Sequence, residues 1–113
     1  MDCIFCSIVD GRIAAQVVRE DNDTVAFRDL NPQAPVHVLV VPRRHIASVN
    51  EAGEDDRDVL GGLIIAARAI AQAEQLAETG YRLVLNTGGD AGQTVSHIHL
   101  HVLGGRPMRW PPG

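Results

Sequence analysis

The chain has 113 residues, of which 45% are hydrophobic and 21% charged, a composition typical of globular proteins and not of disordered ones. This length allows one core, so we expect a single domain over residues 1–113. A net charge of −4 with scattered basic residues argues against binding to polymeric nucleic acid but leaves a small anionic ligand open.

The N-terminal segment lacks the basic and long apolar regions of a signal peptide, which predicts a cytoplasmic protein. The most apolar stretch, residues 59–73, contains Arg68 and is too short to span a bilayer, so no membrane association is expected. Cys3 and Cys6 are the two cysteines of the chain. In a reducing compartment such a Cys-x-x-Cys pair indicates a metal or redox site before a disulfide.

Hydrophobic periodicity and turn residues predict seven elements. In chain order they are a helix at 3–9, strands at 17–19, 24–28 and 36–41, a helix at 55–78, and strands at 81–85 and 95–103. The long helix is amphipathic, Gly80 is expected to cap it, and Gly61-Gly62 predicts close packing against this chain or a second subunit. Short connections favour an α+β fold, with a largely antiparallel five-stranded sheet and the long helix across one face.

The segment Ser96-His97-Ile98-His99-Leu100-His101-Val102 has the strongest chemical signal in the sequence. Alternation along a strand predicts that its three histidines share one face and its apolar residues the other. Neighbouring imidazoles would then lie about 6–7 Å apart and could flank one phosphate group. A core role for three histidines would be costly, and a three-histidine metal site is the stronger alternative.

The loop Asn86-Thr87-Gly88-Gly89-Asp90-Ala91-Gly92-Gln93-Thr94 leads directly into this segment. Its glycines let main-chain N–H groups turn towards an anion, and its amides and hydroxyls are additional donors. A glycine-rich loop alone is a weak signal. Next to the histidines, it favours a phosphate site over a metal site.

Four motifs in the chain match a known pattern. They are Gly92-Gln93-Thr94-Val95 with His97-Ile98-His99-Leu100-His101-Val102, then Phe27-Arg28-Asp29-Leu30-Asn31-Pro32-Gln33-Ala34-Pro35, then Val41-Pro42 with His45, and the closing Trp110-Pro111-Pro112-Gly113. Together they resemble the histidine triad (HIT) family, and the closing motif resembles its nucleotide-binding branch, the purine nucleoside phosphoramidases. The resemblance implies a HIT-like fold with one long and one short helix, in a homodimer whose sheet continues across the two-fold axis.

The resemblance also implies an activity, the cleavage of the P–N bond of a purine nucleoside 5′-phosphoramidate to release AMP or GMP. His99 would be the nucleophile that forms a covalent nucleotidyl-histidine, and His101 would donate to a phosphate oxygen. Thr94, which stands where serine is more usual, would relay a proton to the leaving amine. The supporting residues implied are His97 and His37 beside the nucleophile and Asn86, Gly92 and Gln93 around the phosphate.

A nucleoside site is implied in the same way. Asp29 would accept hydrogen bonds from the ribose hydroxyls, although an ordinary turn aspartate is the alternative. The purine would lie in an apolar slot whose residues could equally be plain core, namely Ile4, Phe5, Ile8, Phe27 and Leu30.

A structural zinc site is implied by the bacterial members of the family that hold one. Its ligands here would be Cys3, Cys6, His45 and His97, two thiolates and two imidazoles that form a closed tetrahedral set. Buried apolar cysteines are the main alternative, and a redox pair is less favoured because no strand precedes it.

Two other functions stay open, a dinucleoside polyphosphate hydrolase and a nucleotide-binding adaptor. An intact triad argues against adaptor binding as the sole role. For the homodimer, we expect Leu63, Ile64 and Ile70 at the interface, with Trp110 reaching towards the partner's active site.

Overall fold

The computed structural model describes residues 3–113, so the first two residues of the predicted domain lie outside it. The elements are α1 (Ile4–Val9), β1 (Val17–Glu20), β2 (Thr24–Arg28), β3 (Val36–Pro42), α2 (Arg57–Ala73), β4 (Tyr81–Val84) and β5 (Leu100–Gly104), with 3₁₀ turns at Val49–Glu51 and Glu54–Asp56. The predicted α+β class is confirmed. Within the described range, no helix has both the length and the apolar character needed to cross a lipid bilayer.

The five strands form one sheet in the order β1-β2-β3-β5-β4, and every pairing is antiparallel. β3 and β5 therefore lie at the centre, with Leu39 opposite His101 and His37 opposite Leu103. Because side chains alternate along a strand, this register places His37 and His101 on the same face.

The sheet separates two apolar clusters. On the face covered by α2, the buried residues are Ala26, Val38, Val40, Ile46, Leu63, Ala66, Ala67, Ile70, Ile98, Leu100 and Val102. On the other face, α1 packs over a smaller set, Cys3, Phe5, Val25, Phe27, Leu39 and Val41. The histidine side chains of the centre lie on this second face, away from the long helix.

The long helix is shorter than predicted, because it ends at Ala73 and not near residue 78. Gln75 adopts a left-handed backbone with φ of 63°. The Leu76 N–H donates to the Ala71 carbonyl at 2.8 Å, and the Gln75 N–H donates to the Gln72 carbonyl at 3.2 Å. This is the Schellman arrangement of a helix end, with glutamine in the position that glycine usually occupies. Gly80 lies beyond it, in the turn before β4, and the prediction that it caps the helix is wrong.

The last strand begins at Leu100, so the strand predicted at 95–103 is wrong for residues 95–99. Just before β5, the main chain forms a hydrogen bond outside the sheet, in which the Ile98 N–H donates to the Ile46 carbonyl at 2.8 Å. The His97 ring is fully buried against Cys3 and Cys6. These distant contacts bend the chain, so His97 and His99 are held by a loop and only His101 by the strand.

The outer face of α2 differs from the expectation for a subunit interface. Leu63 and Ile70 are 1% and 3% exposed because they face the sheet, so their prediction as interface residues is wrong. Ile64 and its neighbour Ile65 are 47% and 61% exposed on the opposite side. A Cβ added at Gly61 or Gly62 would meet no atom within 4 Å, so these glycines do not serve close packing within the described chain.

Candidate active site

An apolar cavity of about 280 Å³ opens beside the histidines on the α1 face of the sheet. This volume is near the lower end of the range for small-molecule sites. All five residues expected to form the purine slot line it, namely Ile4, Phe5, Ile8, Phe27 and Leu30. Asp29, Thr94, His99 and His101 line it as well. The structure thus brings the predicted apolar wall, acid and two of the histidines into one cavity.

The His99 ring is fixed by the main chain two residues before it. Its Nδ1 lies 2.8 Å from the His97 carbonyl oxygen, and the ring is buried. Since a carbonyl can only accept, Nδ1 carries the proton of the neutral ring. Nε2 then holds a free lone pair. This is the state that a nitrogen nucleophile requires.

His101 is held by a chain of hydrogen bonds from β3. The Gln33 N–H donates to His37 Nδ1 at 3.0 Å, so the His37 proton sits on Nε2. That Nε2–H donates to His101 Nδ1 at 2.9 Å, which leaves the proton of neutral His101 on its own Nε2. Two neighbouring histidines therefore have opposite tautomers: His99 offers a lone pair, and His101 offers an N–H donor.

The surroundings of His37 and His101 favour the neutral forms of these two rings. Burial, together with the adjacent His99 and His37 rings and against the pull of Asp29, lowers the pKa of His101 to about 4. Burial likewise lowers the pKa of His37, and the carboxylate of Asp29 opposes this shift. At neutral pH, His101 therefore donates a hydrogen bond without carrying a positive charge. The His99 and His101 ring centroids are 5.1 Å apart, closer than the spacing expected from a regular strand.

Asp29 stands at the rim of the cavity just after β2. Its Oδ1 accepts the Asn31 N–H at 2.8 Å, and its Oδ2 lies 3.5 Å from His37 Nε2. Asp29, His37 and His101 could in principle hold a metal ion, since their ligand atoms lie within 4.8 Å of one another. An ion on His37 Nε2 would displace the only proton of that ring, because Nδ1 already accepts from Gln33. His37 and His101 are therefore a hydrogen-bonded pair beside the Asp29 carboxylate and not part of a metal site.

The loop before the histidines contributes less side-chain chemistry than expected. Thr94 is exposed and lines the cavity, but Asn86, Gly92 and Gln93 do not. The Gln93 amide donates to the Ala47 and Val95 carbonyls at 2.8 and 3.0 Å, and its Oε1 accepts the Gly88 N–H at 3.0 Å. In this structure, Gln93 holds the loop in shape and has no donor left for a phosphate.

The four predicted zinc ligands come together from three separate segments, with ligand atoms within 4.8 Å of one another. Cys3 Sγ lies 3.3 Å and Cys6 Sγ 3.5 Å from His97 Nδ1, while His45 Nδ1 lies 3.4 Å from Cys6 Sγ and 3.2 Å from His97 Nδ1. The edges of a tetrahedron around zinc with these donors are about 3.3–3.8 Å long. His97 Nε2 donates to the Pro42 carbonyl at 2.9 Å, which frees Nδ1 as a ligand. The four residues therefore fit zinc.

Six cavity residues were not expected from the sequence, Ile13, Ala14, Ala15, Arg28, Leu39 and Val95. Leu39 could have been found, because it alternates with the core-facing Val38 and Val40 and lies opposite His101. Residues 13–15 belong to no helix or strand and lie between α1 and β1, with no periodicity to mark a buried side.

Comparison with known proteins points to one family. The HIT domain model matches residues 10–108. An uncharacterised HIT-like protein of Synechococcus elongatus is 51% identical over 112 residues, which cover 99% of this chain and 97% of the relative. A HIT family hydrolase from Legionella pneumophila superposes with a TM-score of 0.97 at 54% identity, covering 99% of this chain and all of that one. A zinc-bound histidine triad protein from Mycobacterium smegmatis has a TM-score of 0.84 at 33% identity, covering 94% of this chain and 76% of that one.

Proposed function

This chain belongs to the HIT domain family, and on that premise we propose that it hydrolyses the P–N bond of purine nucleoside 5′-phosphoramidates. One observation carries the proposal: His99, whose Nδ1 is bonded to the His97 carbonyl, borders a cavity that also contains an N–H donor and a carboxylate. A nucleotide fits these groups, with its base against the apolar wall, its ribose at Asp29 and its phosphate at His99 and His101.

The reaction has two steps on one nitrogen. The His99 Nε2 lone pair attacks the α-phosphorus, a P–N bond to the ring forms, and the P–N bond to the amine breaks. The amine leaves with a proton that the Thr94 hydroxyl relays from solvent. Water then attacks the same phosphorus, returns a proton to solvent through the same hydroxyl, releases the nucleoside monophosphate and restores His99. The His101 N–H stabilises the charge that develops on the phosphoryl oxygens.

The test is rapid-quench analysis with a phosphorus-labelled adenosine or guanosine phosphoramidate, followed by peptide mapping. We expect label on His99, and a fall of at least about a thousandfold in kcat for His99→Ala. Near-normal turnover in that variant, or label on another residue, would disprove the mechanism. Turnover of a diadenosine polyphosphate in parallel would identify a dinucleoside polyphosphate hydrolase, and binding without turnover would identify an adaptor.

We also propose that the Cys3, Cys6, His45 and His97 cluster holds zinc in a structural role. In support, the donor spacing fits a tetrahedron, and a zinc-bound relative is known. The ion would tie α1 to the sheet and take no part in the chemical step. Metal analysis of protein purified without chelator should find about one zinc per chain. A value near zero with both thiols reactive would disprove the site.

The third proposal is a homodimer formed through α2 and β4. It is supported by the exposed apolar side chains of Ile64 and Ile65 and by the position of β4 at the edge of the sheet. An unpaired edge strand next to an apolar helix face is a common site for a second copy. Trp110 is 82% exposed, and the partner's active site is its proposed contact.

A further inference from the structure

The short helix α1 belongs to two sites at once. Cys3 precedes it and Cys6 lies within it, and both face His97. The two residues between them, Ile4 and Phe5, form part of the wall of the nucleotide cavity. The six residues of α1 therefore connect the metal ligands to the purine slot without any intervening segment.

The polar attachment of α1 to the sheet depends on the cysteines. Main-chain hydrogen bonds from residues 3–9 reach no further than Ile13. Within the described residues, the side-chain hydrogen bonds that leave this segment run from the Cys3 and Cys6 sulfurs to His45, which follows β3, and to His97 in the loop before β5. The Phe5 ring adds apolar contact. An ion shared by these four residues would thus replace weak sulfur contacts with coordination bonds and fix the position of α1.

A second connection runs through the main chain of His97. Its ring lies in the metal cluster, while its carbonyl oxygen accepts the His99 Nδ1–H at 2.8 Å. The Phe5 ring meets both rings edge-on, with centroids 6.0 Å from His97 and 5.1 Å from His99. The position of the metal ligands thus constrains both the cavity wall and the orientation of the nucleophile.

We propose that zinc binding and nucleotide binding are thermodynamically coupled, with α1 and His97 as the connecting elements. The inference rests on the proposed function, since it requires a nucleoside monophosphate in the cavity. A ligand that packs against Phe5 and Ile4 favours the position of α1 that zinc also favours. Coupling of this kind is reciprocal, so each ligand raises the affinity for the other by the same factor, about 5- to 50-fold.

The experiment measures zinc and not turnover. Zinc-loaded protein is titrated with a chelator of known affinity, alone and with saturating AMP, GMP or inorganic phosphate. We expect either nucleotide to increase zinc affinity about 5- to 50-fold, and phosphate to increase it less, because phosphate reaches the His97 connection through His99 but not the α1 wall of the cavity. An equal zinc affinity with and without bound nucleotide would overturn the coupling.

A matched pair of variants locates the coupling. Phe5→Leu keeps an apolar wall but removes the ring that meets His97 and His99, and should reduce the coupling factor while the protein still binds zinc. Phe27→Leu removes the same kind of ring from the same cavity, but from β2, where the ring packs on Phe5 with centroids 5.5 Å apart. It should weaken nucleotide binding and reduce the factor less than Phe5→Leu does. Equal factors in the two variants would refute α1 as the connecting element.

Calorimetry with AMP on the zinc-loaded protein separates this inference from the proposed function. If no nucleoside monophosphate binds, the proposed function fails and the coupling with it. If it binds but leaves the zinc affinity unchanged, only the coupling fails. Protein that takes up no zinc from a zinc-containing buffer also overturns the coupling.

Discussion

At the scale of single residues, the chemistry of the site depends on where protons sit. A carbonyl acceptor beside His99 and a histidine donor beside His101 give the neutral forms of the two rings opposite tautomers. The tautomer of His101 depends on His37, which depends in turn on the main-chain N–H of Gln33. A nucleophile and a hydrogen-bond donor are thus obtained from the same residue type within three positions.

Replacing His37 should impair turnover more than binding. Without the His37 donor, His101 loses the group that holds its proton on Nε2, and its N–H is no longer directed to phosphate. We expect His37→Ala to lower kcat about 10- to 100-fold, with a smaller change in KM, in steady-state assays.

The control is Gln33→Ala, because the Gln33 side chain donates only to the Asn31 carbonyl and its main-chain N–H is kept. It should behave like the wild type. Equal losses in the two variants would contradict the role of the hydrogen-bonded chain.

Stability should fall as the pH drops below about 6.5, where histidines titrate in the unfolded chain. Folding lowers the pKa of His101 to about 4 and also lowers that of His37. Between pH 6.5 and about 4, the unfolded chain therefore takes up protons that the folded chain does not, and each unit of pKa difference is worth up to about 1.4 kcal/mol.

Urea unfolding at pH 7 and at pH 5, for the wild type and for His101→Gln, measures this effect. The variant should lose less stability between the two pH values than the wild type does. Any loss of bound metal at low pH is common to both proteins. Identical pH dependence would show that His101 does not contribute.

At the scale of secondary-structure elements, the sequence predicts features that depend on local residue patterns. It misses features that depend on contacts between residues far apart in the chain. Apolar periodicity located the body of α2 and the central strand β3 to within a few residues. The start of β5 could not be found in this way, because His97 is drawn out of strand geometry by Cys3 and Cys6, more than 90 positions away. The site residues were recognised through motifs, but the Gln33 main-chain donor has no side-chain signal at all.

The end of α2 was missed because a glutamine occupies the left-handed position. That conformation costs about 1–2 kcal/mol for a residue with a Cβ, while glycine adds about 0.5–1 kcal/mol of backbone entropy. We therefore expect Gln75→Gly to raise the free energy of unfolding by about 0.5–1 kcal/mol. In Gln72→Gly, three residues earlier on the same exposed face, we expect a loss of about 1 kcal/mol. Chemical denaturation of both would check this, and destabilisation by Gln75→Gly would contradict it.

At the scale of the whole molecule, the exposed faces of α2 and β4 should determine the oligomeric state. A charge at Ile64 or Ile65 would have to be buried in the proposed interface, so Ile64→Asp should weaken the dimer by about 2 kcal/mol or more. Val17→Asp is the matched control, since Val17 is 44% exposed on β1 at the opposite edge of the sheet. Sedimentation at micromolar concentration would measure both. A monomeric wild type would disprove the dimer.

The division of the sheet into two unlike faces has a consequence for how this protein tolerates change. Neighbouring residues of β3 belong to different faces, with Val38 and Val40 in the α2 core and His37 and Leu39 towards the cavity. In a library of all single substitutions, cellular abundance should be most sensitive at the fully buried Val38 and Val40, and activity per molecule at His37, whose ring bonds His101. Substitutions that adapt the protein to a new substrate and substitutions that raise its heat stability would then occur at different positions, which alternate along the same strand.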